Sequence, residues 1–123
     1  PRPVRPRAPA VRHSLRPARL VVKESGLALP LPDAAQALVG RADPVSNFYP
    51  DIDLSPYGAL QAGVGRRHVR IQLQGAEIFV EDLDSTNGTF LNGQRLLPHT
   101  PCPLKHGDEM RLGAMALVVQ LEG

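Results

Sequence analysis

The sequence predicts an all-β sandwich, and three observations carry that expectation. Apolar residues recur with period two in short runs, Gly- and Asn-rich turn signals separate the runs, and no segment holds a sustained helical period. Short strands at this spacing favour two packed antiparallel sheets over a parallel sheet with crossover helices.

Taken in order, residues 1–18 hold Pro1, Pro3, Pro6, Pro9 and Pro17 together with Arg2, Arg5, Arg7, Arg12 and Arg16, and no acid. Proline at that density fits neither a helix nor a central strand, so 1–18 reads as an extended, disordered Arg/Pro-rich linker and 19–123 as one domain. The formal net charge is +2, yet beyond residue 18 nine basic residues stand against twelve acidic ones. The basicity therefore belongs to the linker. A chain that opens on Pro1 also reads as a piece of something longer.

Arg19–Glu24 is apolar and β-branched at Val21 and Val22; Leu27, Leu29 and Leu31 alternate; Ala37–Val39 runs into Gly40-Arg41. Val69, Ile71 and Leu73 alternate with Arg70, Gln72 and Gln74, and after Gly75 the chain returns through Ile78–Val80, a hairpin by spacing and turn residue. Phe90-Leu91 and Arg95-Leu96 flank Asn92-Gly93, and Met110–Leu112 and Ala116–Leu121 flank Gly113. Ala34–Leu38 is the one brief stretch that proline leaves open to a helix.

The densest motif is Asp82–Gly93, DLDSTNGTFLNG, with two Asn-Gly pairs. Each pair tolerates positive φ and is suited to closing a tight turn. Ser85, Thr86 and Thr89 around the first pair predict a rigid loop tip that displays hydrogen-bonding groups.

Several function classes fall away. No nucleophile elbow surrounds Ser85, so a His68, Asp82, Ser85 triad has no support and no enzyme is expected. His99, Cys102 and His106 match no zinc spacing, and prolines flank the cysteine, so no metal and no cofactor are expected. The single cysteine fits a reducing, cytoplasmic compartment, and no apolar run reaches a membrane span. The arginine tail would bind nucleic acid through sequence-blind electrostatics, but it lacks interleaved aromatics and lysines, which disfavours nucleic acid against a plain linker.

Gly40-Arg41, then Gly65-Arg66-Arg67-His68 opening a strand, then Asp82-Leu83, Ser85–Thr89, Asn92-Gly93, and Gly107-Asp108 before Leu112-Gly113 form an ordered series. That series resembles a forkhead-associated (FHA) domain over about residues 19–123. The resemblance implies a sandwich of about eleven short strands, with loops at one end that bind phosphothreonine peptides and no catalysis. It implies a phosphopeptide-binding set of Arg41, Gly65, Arg66, Ser85, Thr86 and Asn87. Thr86 would shape and donate to the phosphate loop, and Asn87 would hold the ligand's main chain. Gly40, His68, Gly88, Asn92 and Gly93 would be structural supports, with His68 bracing the loops from below.

Independently of the family, a phosphothreonine brings about −1.5 to −2 charges and three acceptor oxygens, which call for guanidinium forks and donors on rigid loops. Gly65 departs from the family pattern, which has Ser three residues before the His. A lost hydrogen bond to a charged group costs about 1.5–3 kcal/mol, roughly ten- to a hundredfold in affinity. Two rival readings follow: a degenerate domain that binds an unphosphorylated protein, or association with nucleic acid through the tail. Arg41 alternatively pairs with Asp43 or Asp84, and Arg66 alternatively is a solvated strand-end charge. Asp43, Asp51 and Asp53 on the long connection from Arg41 to Gly65 offer themselves either as a screen over the site or as selectors of a basic ligand. Phe48, Tyr49 and Tyr57 either line a groove or pack the loop down.

The only threonines are Thr86, Thr89 and Thr100, and the tail's only hydroxyl is Ser14. The resemblance implies a phosphothreonine ligand, and the tail offers none, so the expected partner is a threonine-phosphorylated protein, in trans or in a missing part of the chain, with no small-molecule substrate and no membrane.

Overall fold

The computed structural model describes residues 12–122. Eleven short strands form two sheets. Strands β1 (Arg19–Val22), β2 (Ala28–Pro30), β7 (Thr89–Leu91), β8 (Gln94–Arg95), β10 (Glu109–Leu112) and β11 (Met115–Gln120) make a six-stranded sheet in the order β2-β1-β11-β10-β7-β8. Strands β3 (Gln36–Gly40), β4 (Ile52–Asp53), β5 (Val69–Gln74), β6 (Glu77–Asp82) and β9 (Cys102–Pro103) make a five-stranded sheet in the order β4-β3-β5-β6-β9. Every pairing is antiparallel except β3 with β4. The expected all-β sandwich of about eleven short strands is what the chain forms.

Period-two patterning decides which face each strand buries. Leu20 and Val22 of β1, Met110 and Leu112 of β10, and Met115, Leu117 and Val119 of β11 point inward. From the other sheet come Ala37 and Val39, Val69 and Ile71, and Ile78 and Val80, all in the same core cluster. Register follows from the turns. Gly75 has φ 63 and joins Gln74 to Glu77; Asn92 and Gly93, with φ 49 and 86, both take the left-handed conformation that a two-residue hairpin between Leu91 and Gln94 requires.

Two strands and a helix had no legible signal. β4 and β9 are two residues each, too short for periodicity, and both sit at sheet edges. The single α-helical turn, α1 (Ala59–Ala62), follows a 3-10 turn at Ser55–Tyr57 and ends on Gly63 at φ 80. The stretch open to a helix, Ala34–Leu38, instead runs into β3, because Gln36–Val39 pairs with Val69–Gln72 of β5 and buries its alternate residues.

The linker boundary at residue 18 needs correction. Leu15 and Ala18 are fully buried in the core cluster, and the Leu15 N–H donates to the Ala34 carbonyl at 2.8 Å. Arg12 donates from both terminal nitrogens, to the Leu15 and Leu121 carbonyls at 3.3 and 3.0 Å. Residues 12–18 thus close one side of the sandwich, and Arg12 is spent on that closure. The remaining linker residues, 1–11, lie outside the described part.

Leu15→Ala is expected to destabilise the fold by about 2–5 kcal/mol, the cost of emptying a well-packed core site. Urea denaturation measures it; a change under about 0.5 kcal/mol, the size of a surface substitution, would return residues 12–18 to the linker.

Candidate functional site

The site is built where three loops meet at one end of the sandwich: β3–β4 (41–51), β4–β5 (54–68) and β6–β7 (83–88). Gly40 sets the first junction. A Cβ there would stand 1.9 Å from the Arg66 carbonyl oxygen, which also accepts from the Arg41 N–H at 3.2 Å. Only glycine permits that approach, and it fixes where Arg41 leaves the sheet.

His68 sets the second junction. It is fully buried, its Nδ1 accepts from the Gly65 N–H at 3.0 Å, and its Nε2 lies 2.9 Å from the Gly88 carbonyl oxygen. An acceptor on one nitrogen and a donor on the other define a neutral imidazole with the proton on Nε2. Burial pushes its pKa below the usual histidine value, against the opposing pulls of the Gly88 carbonyl and Asp82. One side chain thereby ties the β4–β5 loop to the β6–β7 loop. The Gly88 carbonyl also accepts from the Gly113 N–H at 3.0 Å, with Gly88 itself at φ 85.

Asp82 organises the β6–β7 loop from inside. It continues the inward face of β6 after Ile78 and Val80, opposite Val69, and is only 2% exposed. Its carboxylate accepts from the Ser85 N–H at 3.2 Å, from the Ser85 hydroxyl, and from Thr89 Oγ1 at 2.7 Å. Among the described residues no buried side-chain polar atom lacks a partner, the condition under which a buried carboxylate is tolerable. The sequence reading missed this burial, although period-two arithmetic from Ile78 and Val80 to Asp82 would have found it.

This network corrects the expected loop tip. Thr89 is fully buried, and the Ser85 hydroxyl is committed to Asp82, so Thr86 is the displayed hydroxyl of the three. Asn87-Gly88 does not close a two-residue hairpin, because Asp82 and Thr89 are not paired across it. Asn87 is exposed and donates from Nδ2 to the Gly63 carbonyl at 2.9 Å, a second tie between the same two loops. Asn92 donates to Asp108 and accepts from the Glu109 N–H, both at 3.0 Å, which holds the β7–β8 hairpin on β10.

Between these loops lies a cleft of about 620 Å³. Arg41, Arg66 and Arg67 line it, with Ser46, Ser85 and Thr86 supplying hydroxyls and Phe48, Gly65 and Asp84 completing the wall. Of the expected site residues, five converge here and Asn87 stands beside them. Arg41 is half-buried and held by its Nε, 3.1 Å from the Val64 carbonyl oxygen, and among the described residues it pairs with neither Asp43 nor Asp84. The acid goes to Arg66 instead, whose Nη1 is 3.1 Å from Asp43 Oδ2. Arg67 and Ser46 were not anticipated. Arg67 is held over the Phe48 ring at 4.8 Å, so Phe48 both packs the loop and lines the cleft.

The three acids between Arg41 and Gly65 divide by role. Asp51 accepts from the Leu38 N–H at 2.7 Å, and Asp53 accepts from the Ala42 and Ser55 N–H groups at 3.0 and 2.9 Å. Both brace the chain, which leaves Asp43 as the one of the three that engages a cleft residue, Arg66. No His68–Ser85 contact exists to support a triad, since both histidine nitrogens are spent on backbone.

The FHA domain family model matches residues 37–113. Protein FraH of Nostoc sp. (strain PCC 7120) is 36% identical over 104 residues, covering 85% of this chain and 35% of FraH. FHA domain-containing protein FhaB of Mycobacterium tuberculosis is 34% identical over 80 residues, covering 65% of this chain and 44% of FhaB. The chain thus spans less than half the length of either relative. Among solved structures, Mycobacterium tuberculosis EmbR in complex with a low-affinity phosphopeptide aligns with TM-score 0.70 and 28% identity, over 86% of this chain and 24% of that one. A structure from a study of phosphothreonine-dependent FHA domain interactions aligns with TM-score 0.68 and 27% identity, over 86% of this chain and 97% of that one.

Because folded His68 binds its proton less readily than an unfolded histidine, the native state gives up stability as pH falls below the ordinary value of 6.5 and keeps it in full above. Thermal melting between pH 8 and 5.5 should show this acid-side fall, and His68→Gln should flatten it while lowering stability throughout. An unchanged slope in His68→Gln would show that His68 is not the titrating group.

Proposed function

We propose, from the premise that this chain belongs to the forkhead-associated (FHA) domain family, that it is a non-catalytic protein-interaction module that binds a threonine-phosphorylated partner. One observation carries the reading: three arginines from two loops converge on one cleft whose rim offers hydroxyl donors. FHA domains are phosphothreonine-dependent interaction modules, and a dianionic phosphate needs this kind of fixed positive charge.

Arg41 is the principal anion ligand. Its Nε is anchored to backbone, so its two terminal nitrogens are presented as a planar fork with little freedom left to lose on binding. Arg66 and Thr86 complete the phosphate contacts, and Asn87 holds the ligand backbone from the rim. Ser85 acts mainly through Asp82. The partner lies in trans or elsewhere in a longer chain. Among the described residues no helix is long and apolar enough to cross a membrane, and the lone Cys102 fits a reducing, cytoplasmic setting.

A second reading, recognition of an unphosphorylated protein, is favoured by Gly65, which brings no hydroxyl, and by Asp43, which already engages Arg66. Calorimetric titration of the whole 123-residue chain with a phosphothreonine peptide library separates the two. Binding should require phosphate, favour phosphothreonine over phosphoserine, and fall at least about tenfold in Arg41→Ala, the loss of one charged hydrogen-bonding partner. Equal binding of unphosphorylated peptides would establish the second reading. Binding of nucleic acid that steepens at low salt would favour the tail.

A further inference from the structure

The β3–β4 loop sets an acid, Asp43, and a cleft-lining hydroxyl, Ser46, against Arg66 of the cleft wall. Ser46 Oγ donates to Asp43 Oδ2 at 2.8 Å, and Arg66 Nη1 reaches that same oxygen at 3.1 Å. A hydroxyl from one wall and a guanidinium from the other therefore converge on a single anionic oxygen. The loop's shape has other supports: Asp43 and Phe48 exchange backbone hydrogen bonds at 2.9 and 3.0 Å, Ser46 Oγ also reaches the Asp43 carbonyl at 3.3 Å, and Asn47 turns the chain at φ 56. Asp43 can thus rotate its side chain out while the backbone stays closed. The Ser46 hydroxyl, followed by Arg66, holds the Asp43 carboxyl below its usual pKa, so the group is ionised at neutral pH. On the facing wall, Gly65 supplies no side chain, so Ser46 is the loop hydroxyl placed opposite Arg66.

We propose that Ser46 and Arg66 form an anionic-oxygen subsite of the cleft that Asp43 occupies in the free protein, and that a ligand phosphate displaces Asp43 and takes over both donors. The inference rests on the phosphopeptide reading above and adds to it a donor and an internal competitor. Asp43 then sets an affinity threshold. A singly charged carboxylate is a weak occupant on an exposed loop, whereas a phosphate brings more charge and three acceptors. The exchange replaces one anion by another without leaving either cation or hydroxyl unpaired. It also selects against ligands whose charge is no greater than that of the carboxylate they must expel.

The test is calorimetry of the whole chain against one phosphothreonine peptide at fixed salt, with melting curves to confirm that each variant folds. Ser46→Ala should weaken binding about tenfold or more, and Asp43→Ala should tighten it by about threefold. Mere charge repulsion by Asp43 would also give tightening, so the Asp43→Ala gain is measured again in a Ser46→Ala, Arg66→Ala background. Displacement predicts that the gain shrinks below about twofold there; repulsion at a distance predicts that it persists. A Cβ on Gly65 would meet only His68 Nδ1, at 3.8 Å, so Gly65→Ser is sterically permitted and should restore affinity to Ser46→Ala. Binding by the wild type with Ser46→Ala unchanged, or a persistent gain in the double-variant background, overturns the inference alone. Failure of both the wild type and Asp43→Ala to bind any phosphopeptide overturns the parent reading and the inference with it.

Discussion

The two hydrogen bonds of neutral His68 are the constraint on which the recognition end depends. The sandwich beneath is a conventional solution to alternating apolar strands, and it would hold without any particular loop conformation. The loops are another matter. They are rich in glycine and small polar residues, and a single imidazole fixes the distance between them by accepting from Gly65 and donating to Gly88. The Nε2 bond is buried and the Nδ1 bond part-buried, so the imidazole does not exchange them cheaply for solvent contacts. Asn87 to Gly63 ties the same two loops at the surface, and Gly113 to Gly88 anchors the junction to the turn between β10 and β11.

Such bracing matters because of the charge it holds in place. Arg41, Arg66 and Arg67 border one cleft, and the protein keeps them from simply collapsing into solvent or one another. Arg41 is tied to backbone, Arg67 lies on the Phe48 ring, and Arg66 is paired with Asp43. Three different anchors leave three cations pre-positioned, and preorganisation of this kind lowers the ordering cost that binding must overcome.

Strand identity was legible wherever period-two runs were long enough, as in Val69–Gln74 and Glu77–Asp82, and the turns were legible through Asn92-Gly93 and Gly75. The ordered motif series then identified the cleft residues Arg41, Gly65, Arg66, Ser85 and Thr86. What stayed hidden has physical reasons. Two-residue edge strands carry no period, and α1 is a single turn bounded by left-handed Gly58 and Gly63, too short to show an amphipathic face. Leu15 looked like tail because proline density dominates its neighbourhood, yet one leucine among prolines suffices to plug a core. Arg67 and Ser46 sit on different loops, and only the fold brings residues that far apart in sequence to one cleft.

The central claim is that the arginine-lined cleft is where a phosphothreonine binds. The most direct measurement is a two-dimensional amide NMR titration of the whole chain with a phosphothreonine peptide and its unphosphorylated twin. The account predicts saturable shifts at Arg41, Gly65, Arg66 and Thr86 with the phosphorylated peptide alone. Shifts confined to the groove beside Tyr57 and Met115, or identical responses to both peptides, would contradict it.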